Sequence, residues 1–182
     1  MNQNNFDPES MLKGRMAETL VEDLLKQSGN SVYRFGYEAI LQNLTQIQQN
    51  FERYSDAGER IRAIPDFIVI DVNGGPIFLE VKFRWDGNPH DLDKQRFGRI
   101  GEFWGAKIII VNRTEKPYFR ITTPPYLNEK SLFQWKPLVE EASWKIDKTA
   151  YKKFESLVEK YLTPTLVSDK ELNELPLTTS QG

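Results

Sequence analysis

Two short apolar segments, joined by an Asn-Gly-Gly-Pro turn, place three charged residues on what the pattern predicts to be neighbouring strands. The segments cover residues 64–71 and 77–84. Apolar and charged residues alternate along the second, so Glu80 and Lys82 share one face, with Cα atoms about 7 Å apart. The turn folds the chain back and can bring Asp66 alongside them. Two carboxylates beside a lysine can hold a divalent cation next to an ammonium group, as phosphodiester hydrolysis requires.

The length and composition are those of one globular domain. The chain has 182 residues, of which 39% are hydrophobic and 27% are charged, enough to bury one core. It has no cysteine, which excludes disulfides and zinc sites built on thiolates. We find no internal repeat. We therefore predict a single domain over residues 1–162, with a core at about 11–122, a C-terminal helical extension over 126–162 and a flexible tail at 163–182.

The ends and apolar runs of the chain give no sign of a membrane or of export. The N-terminal residues are polar and lack a signal-peptide pattern. The longest apolar runs, such as residues 108–111, are far too short to span a bilayer. We expect a cytoplasmic protein that does not contact a membrane.

Hydrophobic periodicity predicts an α/β fold with a central mixed β-sheet flanked by helices. Asp7-Pro8 is a typical helix start and Asp147 a typical N-cap, while a loop at 55–58 is expected to end the second helix. The region 126–146 has no clear pattern. The predicted helices cover 8–28, 38–54, 91–104 and 147–162, and the predicted strands cover 31–36, 64–71, 77–84, 106–112 and 118–122.

Charge is unevenly distributed along the chain. The net charge is −2 in total, but residues 82–120 hold nine basic and five acidic residues, a net of +4, while residues 1–81 have a net of −5. The basic excess thus begins at Lys82, where a surface for nucleic-acid phosphates would lie beside a metal site. A swing of this size also arises by chance in many soluble proteins.

The ordered set of charged residues resembles the PD-(D/E)xK nuclease superfamily, which includes many restriction endonucleases and archaeal Holliday-junction resolvases. Pro65-Asp66 opens one strand, and Glu80-Val81-Lys82 follows on the next after thirteen residues. Glu18 lies on a preceding helix and Gln95 on a following one. The resemblance covers about residues 11–122 and implies a restriction-endonuclease-like core. The helix predicted at 38–54 lengthens the usual link between the first two strands, which leaves the subfamily open.

The resemblance implies a role for each of these residues. Asp66, Glu80 and the Val81 carbonyl would hold Mg²⁺ (or Mn²⁺), for which hard oxygen ligands are suited. Lys82 would orient or deprotonate the attacking water, or offset charge on the phosphate in the transition state. Glu18 would bind a second metal ion or its water.

Each of these residues also has a simpler interpretation. Asp66 could be a turn acid and Glu80 a solvent-facing strand residue. Lys82 could be a salt-bridge partner of either carboxylate. Glu18 could be a helix-surface acid. Gln95, which the resemblance places near the water or the scissile phosphate, could be an exposed helix residue.

Four basic residues after the motif are candidates for contacts with DNA phosphates, since arginine and lysine suit that role. The simpler interpretation is that they are ordinary solvated charges. They are Arg84, Lys94, Arg96 and Arg99.

The remaining chemistry-bearing residues are assigned to structure. His90, the single histidine, lies in a turn-rich loop and is expected to be a plain surface residue. The four tryptophans, Trp85, Trp104, Trp135 and Trp144, are expected in the core or in oligomer contacts, not as stacking platforms for bases.

The resemblance therefore implies a metal-dependent endonuclease that cuts DNA and leaves 5′-phosphate and 3′-hydroxyl ends. It also allows a homodimer, for which the amphipathic helix at 147–162 is a candidate interface. One rival is a nuclease-like module that binds nucleic acid or protein without cutting. Another is a structural protein whose charged strand pair is coincidental.

Overall fold

The computed structural model describes residues 8–36 and 55–162. Within these ranges the chain forms four helices, six strands and a 3₁₀ turn at Leu138–Glu140. In chain order the elements are α1 (Pro8–Gln27), β1 (Val32–Arg34), α2 (Asp56–Arg62), β2 (Phe67–Ile70), β3 (Pro76–Phe83), α3 (Asp91–Trp104), β4 (Lys107–Val111), β5 (Phe119–Thr122), β6 (Lys136–Pro137) and α4 (Lys148–Tyr161).

The six strands form one mixed sheet whose spatial order, β1 to β6, is also the order along the chain. The central pair, β3 and β4, is parallel, and every other pair is antiparallel. A parallel pair needs a crossover, and α3 supplies it. The predicted α/β class with a mixed central sheet is confirmed.

The sheet has an apolar core on each face, as the alternation along β3 predicts. Leu79 and Val81 point to the main core, where they meet α1, α4 and the inward residues of the other strands. Phe78 points the other way, into a second cluster with Phe97 and Ile100 of α3. Because Glu80 and Lys82 have the same parity as Phe78, they are directed away from the main core.

The helix ends match the signals in the sequence. The side chain of Asp147 accepts a hydrogen bond from the Ala150 amide at 2.7 Å and caps α4. Gly29 follows α1 with φ of 87°, and Gly105 ends α3 with φ of 58°. Glycine occupies this left-handed region without a steric penalty, so both helices stop where glycine stands.

The predicted loop at 55–58 is wrong, because it forms the start of α2. Ser55 is the N-cap, and its side-chain oxygen accepts a hydrogen bond from the Gly58 amide at 3.1 Å. Serine followed by two acidic residues in the first turn is a helix-start signal that a run of turn formers concealed. The helix predicted at 38–54 lies outside the described residues.

The apolar stripe of α4 serves the chain's own core. Tyr151, Phe154 and Val158 are buried in the main core with α1. The expectation that this face forms a dimer interface is therefore wrong, because the face is already covered; a homodimer through other surfaces stays a prediction. In the described part of the chain, no helix is both long and apolar enough to cross a membrane.

Candidate active site

Asp66 lies just before β2, at the point where the pairing between β2 and β3 ends. The pairing of β2 with β3 begins with Phe67 opposite Leu79, so β3 runs on past the start of β2. The Val81 amide fills this gap by donating a hydrogen bond to Asp66 Oδ2 at 2.8 Å. The Asp66 carbonyl accepts hydrogen bonds from the amides of Phe35 (2.8 Å) and Gly36 (3.1 Å). The carboxylate is thereby fixed beside the charged residues of β3.

Glu80 is fully buried and carries its two oxygens in unequal surroundings. Its Oε1 lies 2.6 Å from Nζ of Lys82 and 3.3 Å from a guanidinium nitrogen of Arg96. Its Oε2 is buried and has no hydrogen-bond partner within the described residues. A buried carboxylate oxygen without a partner costs free energy, so a cation bound at this atom would remove that cost.

Lys82 and Glu18 line a cavity of about 440 Å³ that opens beside the end of β3. The Lys82 side chain is 16% exposed, so its ammonium group can meet a molecule in the cavity while it contacts Glu80. Glu18 comes from α1, as the helical stripe predicts, and its charge reaches Asp66. The structure thus brings Asp66, Glu80, Lys82 and Glu18 together at one end of β3, although Glu18 and Lys82 are 64 positions apart in the sequence.

Burial raises the pKa of Asp66 well above its ordinary value, and the negative charge of Glu80 raises it further. The positive charge of Lys82 acts in the opposite direction, and Glu18 adds to the increase. The carboxylates of Asp66, Glu80 and Glu18 therefore repel one another here, and Lys82 and Arg96 offset part of that repulsion. A divalent cation would relieve this repulsion and favour the ionised form of Asp66.

The donor set fits a hard divalent cation. Asp66 and Glu80 offer carboxylate oxygens, and the unpartnered Oε2 of Glu80 gives a specific place for one. Across residues 8–36 and 55–162, no group of three or more His, Cys, Asp and Glu side chains is arranged to hold a metal. A divalent cation bound by so few side chains would keep several of its waters, as Mg²⁺ commonly does in proteins. The Val81 carbonyl remains a predicted ligand.

Helix α3 brings Arg96, and not Gln95, to Glu80. The inward stripe of α3 contains the buried Asp93, Phe97 and Ile100, and Arg96 is three residues after the first of these. Gln95 falls on the exposed side and lines a separate pocket. The ion pair of Arg96 with Glu80 was missed in the sequence, although the phase of the stripe could have indicated it.

Arg84 is held in a structural contact. Its guanidinium forms a two-pronged ion pair with Asp93, and it donates to the Phe83 carbonyl at 2.7 Å. Asp93 also accepts from the His90 amide at 2.9 Å, which closes a capping arrangement. Burial alone would raise the pKa of Asp93, but the bonds from Arg84 and His90 outweigh it and lower the pKa. Arg84 therefore anchors α3 to the end of β3, and its contact with DNA stays a prediction.

The other basic candidates lie on α3. Lys94 is exposed and pairs with Asp91 at 3.0 Å, within the same helix. Arg99 pairs with Glu59 of α2 at 3.2 Å. His90 is exposed at the N-cap of α3, as expected, but it also lines the cavity beside Lys82.

The tryptophans divide between core and surface. Trp104 and Trp135 pack against the second cluster, and Trp144 is buried in the main core. Trp85 differs, because it is 52% exposed and lines the cavity beside Lys82. Its ring carries the guanidinium of Arg113 and lies near the Lys13 ammonium.

The comparisons with known proteins give little beyond this geometry. No protein-family model matches the sequence, and no curated protein matches it. Among solved structures, the chain is similar to Hjc of Archaeoglobus fulgidus, described as a Holliday junction resolvase from an archaeal hyperthermophile. The identity is 16%, the match covers 80% of this chain and 98% of that chain, and the TM-score is 0.35. This likeness is too loose to bear on the chemistry of the chain.

Proposed function

We propose that this protein is a metal-dependent endonuclease that hydrolyses phosphodiester bonds in DNA. The observation that carries the proposal is the buried Oε2 of Glu80, which lacks a partner among the described residues while Asp66 and Lys82 stand beside it. Glu141 also has a buried oxygen without a hydrogen bond, but Lys136 lies 3.3 Å from it, whereas Glu80 Oε2 has no ion-pair partner among the described residues and is open to a cation.

Asp66 and Glu80 would hold the divalent ion, Mg²⁺ or Mn²⁺, with the Val81 carbonyl as a further oxygen and Glu18 at the edge. When bound, this ion supplies positive charge to the phosphate and makes a water more acidic. The amide of Val81 keeps Asp66 Oδ2 in place, so one carboxylate is oriented before any ligand arrives.

Lys82 is the residue that would act on the reacting groups. Its ammonium group stands between Glu80 and the cavity, where it can donate a hydrogen bond to a phosphate oxygen or orient a water. In hydrolysis a water oxygen attacks phosphorus and the bond from phosphorus to the 3′-oxygen breaks. The positive charge of Lys82 offsets the negative charge that accumulates on the phosphate.

DNA is the proposed substrate because exposed arginines of α3 lie close to the carboxylates and the segment that begins at Lys82 has a basic excess. Residues 82–120 carry a net charge of +4, and Arg96 and Arg99 of α3 are both about half exposed. Arginine suits bidentate contacts with phosphates, which position a nucleic acid without reading its sequence. The role of Lys94 as a further phosphate contact belongs to the same proposal.

The test is cleavage of a labelled panel of linear duplex, single strand, flap and four-way junction, with Mg²⁺ or Mn²⁺ and with EDTA. Asp66→Ala and Lys82→Ala are expected to abolish cleavage. Lys116→Ala is the matched control, since Lys116 is also a salt-bridged lysine but lies outside the cavity. Cleavage without added metal, or cleavage that persists in either site variant, would refute the proposed site.

One observation favours a second function, a binding module without catalysis. Lys82 and Arg96 both pair with Glu80 Oε1, and two such ion pairs can compensate the charge of a structural carboxylate. DNA binding in the same assays, with no cleavage of any substrate and no heat of metal binding by calorimetry, would establish this alternative.

A further inference from the structure

Trp85 is a large aromatic residue in the wall of the cavity beside Lys82, and the proposed cleavage gives it no role. It stands two positions beyond Phe83, where β3 ends. It is 52% exposed, whereas Trp144 in the main core is 3% exposed. An apolar ring that is left half uncovered forgoes part of the free energy of burial, so packing alone does not explain its place at the cavity.

A buried cation holds the ring of Trp85 in place. The guanidinium of Arg113, which is 4% exposed, lies over the ring. Its Nη1 donates a hydrogen bond to the Leu162 carbonyl at 3.0 Å, whereas its Nε and Nη2 have no hydrogen-bond partner within residues 8–36 and 55–162. The ammonium of Lys13 lies 5.0 Å from the ring centre, and the residue keeps its exposure with both cations present. Attraction to an anchored arginine therefore fixes the plane of the indole before a ligand arrives.

Gly14 of α1 lines the same cavity and leaves space in it. Glycine inside a helix costs stability relative to alanine or leucine. A Cβ atom at Gly14 would nevertheless meet no atom within 4 Å among the described residues, so close packing does not require the glycine. The cavity holds about 440 Å³, within the range of about 300–1,000 Å³ that is common for small-ligand sites. An aromatic wall and a missing side chain thus belong to one open space.

The chemistry of this wall suits a nucleobase better than another phosphate. The lining includes Glu9 and Glu18 as well as Lys13 and Lys82, so it is not a purely cationic surface. Every nucleobase has a flat π-face that stacks on an aromatic side chain, whatever its sequence. In a continuous duplex the bases are already paired and stacked, so an unpaired nucleotide reaches Trp85 at much lower cost.

We propose that the cavity beside Lys82 binds an unpaired nucleobase, stacked on Trp85 in the space that Gly14 leaves open. This inference rests on the proposed function and deepens it, because it names the substrate class: a nucleic acid with an unpaired nucleotide next to the bond that is cut. Trp85 then distinguishes single strands and flaps from continuous duplex, while Lys82 acts on the neighbouring phosphate.

The experiment measures binding of a labelled single strand, and of a duplex of equal length, by fluorescence anisotropy in EDTA. Trp85→Ala removes the stacking surface, and Gly14→Leu fills the space. Tyr161→Ala is the control for the first, because Tyr161 is 54% exposed, has the Lys160 ammonium 5.0 Å from its ring centre, and is not among the described lining residues of the cavity.

Gly98→Leu is the control for the second, because a Cβ at this glycine of α3 also meets nothing within 4 Å but points outside the cavity lining. Trp85→Ala and Gly14→Leu are each expected to weaken single-strand binding roughly tenfold, with a much smaller loss for the duplex. Gly14→Leu should at the same time raise the urea midpoint, since leucine favours a helix over glycine. Weaker binding by a more stable protein would not come from damage to the fold.

The outcomes separate this proposal from the proposed function. Equal single-strand affinity of Gly14→Leu and Gly98→Leu, or of Trp85→Ala and Tyr161→Ala, would overturn the base site even if the wild type cuts DNA. Equal losses for single strand and duplex would overturn it as well.

If the wild type neither binds nor cuts DNA, a titration with 2′-deoxyadenosine 5′-monophosphate decides, followed by NMR of the tryptophan indole N–H signals. The Trp85 signal is assigned by its loss in Trp85→Phe. A shift of this signal that Gly14→Leu suppresses would retain the base site without the nuclease, and the absence of a shift would refute it.

Discussion

Two buried glutamates meet lysines at the sheet, and they differ in how their oxygens are used. Glu141 pairs with Lys107 at 2.8 Å and accepts from the Ser143 amide at 2.9 Å, both through Oε1. Its Oε2 makes no well-aligned hydrogen bond but lies 3.3 Å from Nζ of Lys136. Glu80 gathers Lys82 and Arg96 on one oxygen and leaves the other without a partner in the described chain.

The two glutamates differ in whether both of their oxygens have a cationic neighbour. At Glu141 both oxygens have cationic neighbours, so the buried charge is compensated on both sides. At Glu80 the charge is compensated on one side only, and Asp66 adds a second carboxylate nearby. Glu141 is therefore interpreted as a structural residue, whereas Glu80 is the residue to which we assign the proposed cation.

The largest expected effect is on activity. Glu80→Gln keeps the shape of the side chain but removes the charge that would hold the ion. We expect it to lower the cleavage rate at least about a hundredfold, the usual cost of losing a group that stabilises transition-state charge. Calorimetry of the same variant should show no Mn²⁺ binding. Glu141→Gln is the matched control and should cut at nearly the wild-type rate; equal losses in both variants would erase the distinction.

The next effect is on stability, and here the order of the two variants reverses. Glu141→Gln leaves Lys107, whose side chain is 12% exposed, without its charged partner, and we expect a loss of about 3 kcal/mol in the free energy of unfolding. Glu80→Gln relieves repulsion with Asp66, so its loss should be about 1 kcal/mol or less in metal-free buffer. Urea unfolding measures both. A larger loss for Glu80→Gln would mark it as the structural residue.

The pH dependence of stability should also show that Glu141 belongs to a structural ion pair. Burial alone would raise the pKa of Glu141, but Lys107 and Ser143 outweigh it and lower the pKa from 4.5 to about 2. Because the folded-state pKa is depressed, this stabilisation is present above pH 4.5 and is lost as the pH falls towards 2. It amounts to at most about 3 kcal/mol, and to less after solvent screening. The difference between wild type and Glu141→Gln should therefore shrink across this range; a constant difference would exclude the ion pair as its origin.

The contribution of Asp66 to stability should change with pH in the opposite direction to that of Glu141. Burial first, and then the charge of Glu80, raise the pKa of Asp66, so the folded metal-free protein binds this proton more tightly than the unfolded chain does. Its favourable contribution is present at low pH and is lost as the pH rises through the folded-state pKa. Asp66→Asn should consequently stabilise the metal-free protein at neutral pH, an effect that urea unfolding can measure and that added Mn²⁺ should reverse in favour of the wild type.

Much of the fold could be predicted because local signals agree with it. The period-two pattern of β3 sets which side chains enter each core, and Asp147 and Gly105 mark helix ends by their own backbone chemistry. The same alternation brings Glu80 and Lys82 to one face. Asp66 could be placed beside them because a tight turn reverses the chain between the two strands.

The parts that could not be predicted depend on side chains that meet across the fold. Arg84 is a residue type that commonly contacts phosphate, but its guanidinium is paired with Asp93, which is nine residues further along the chain. The pairing of Arg96 with Glu80 is decided by how α3 rotates over the sheet, and a difference of one residue separates it from Gln95. The short helix α2 lacks an apolar stripe long enough to detect.

The smallest expected effect is a change in metal affinity when Arg96, the second cationic partner of Glu80, is replaced. Arg96 lies 3.3 Å from the oxygen of Glu80 that also binds Lys82, and its side chain is 51% exposed. A cation near Glu80 must compete with this positive charge, so Arg96→Gln should tighten Mn²⁺ binding about threefold to tenfold, a modest change because solvent screens the guanidinium. Calorimetry measures the affinity, and Arg60→Gln, which removes an exposed arginine from α2, is the control. If Arg96 instead helps to hold the ion, its removal would weaken Mn²⁺ binding. Arg96 would then be part of the metal site and not a competitor of the metal for Glu80.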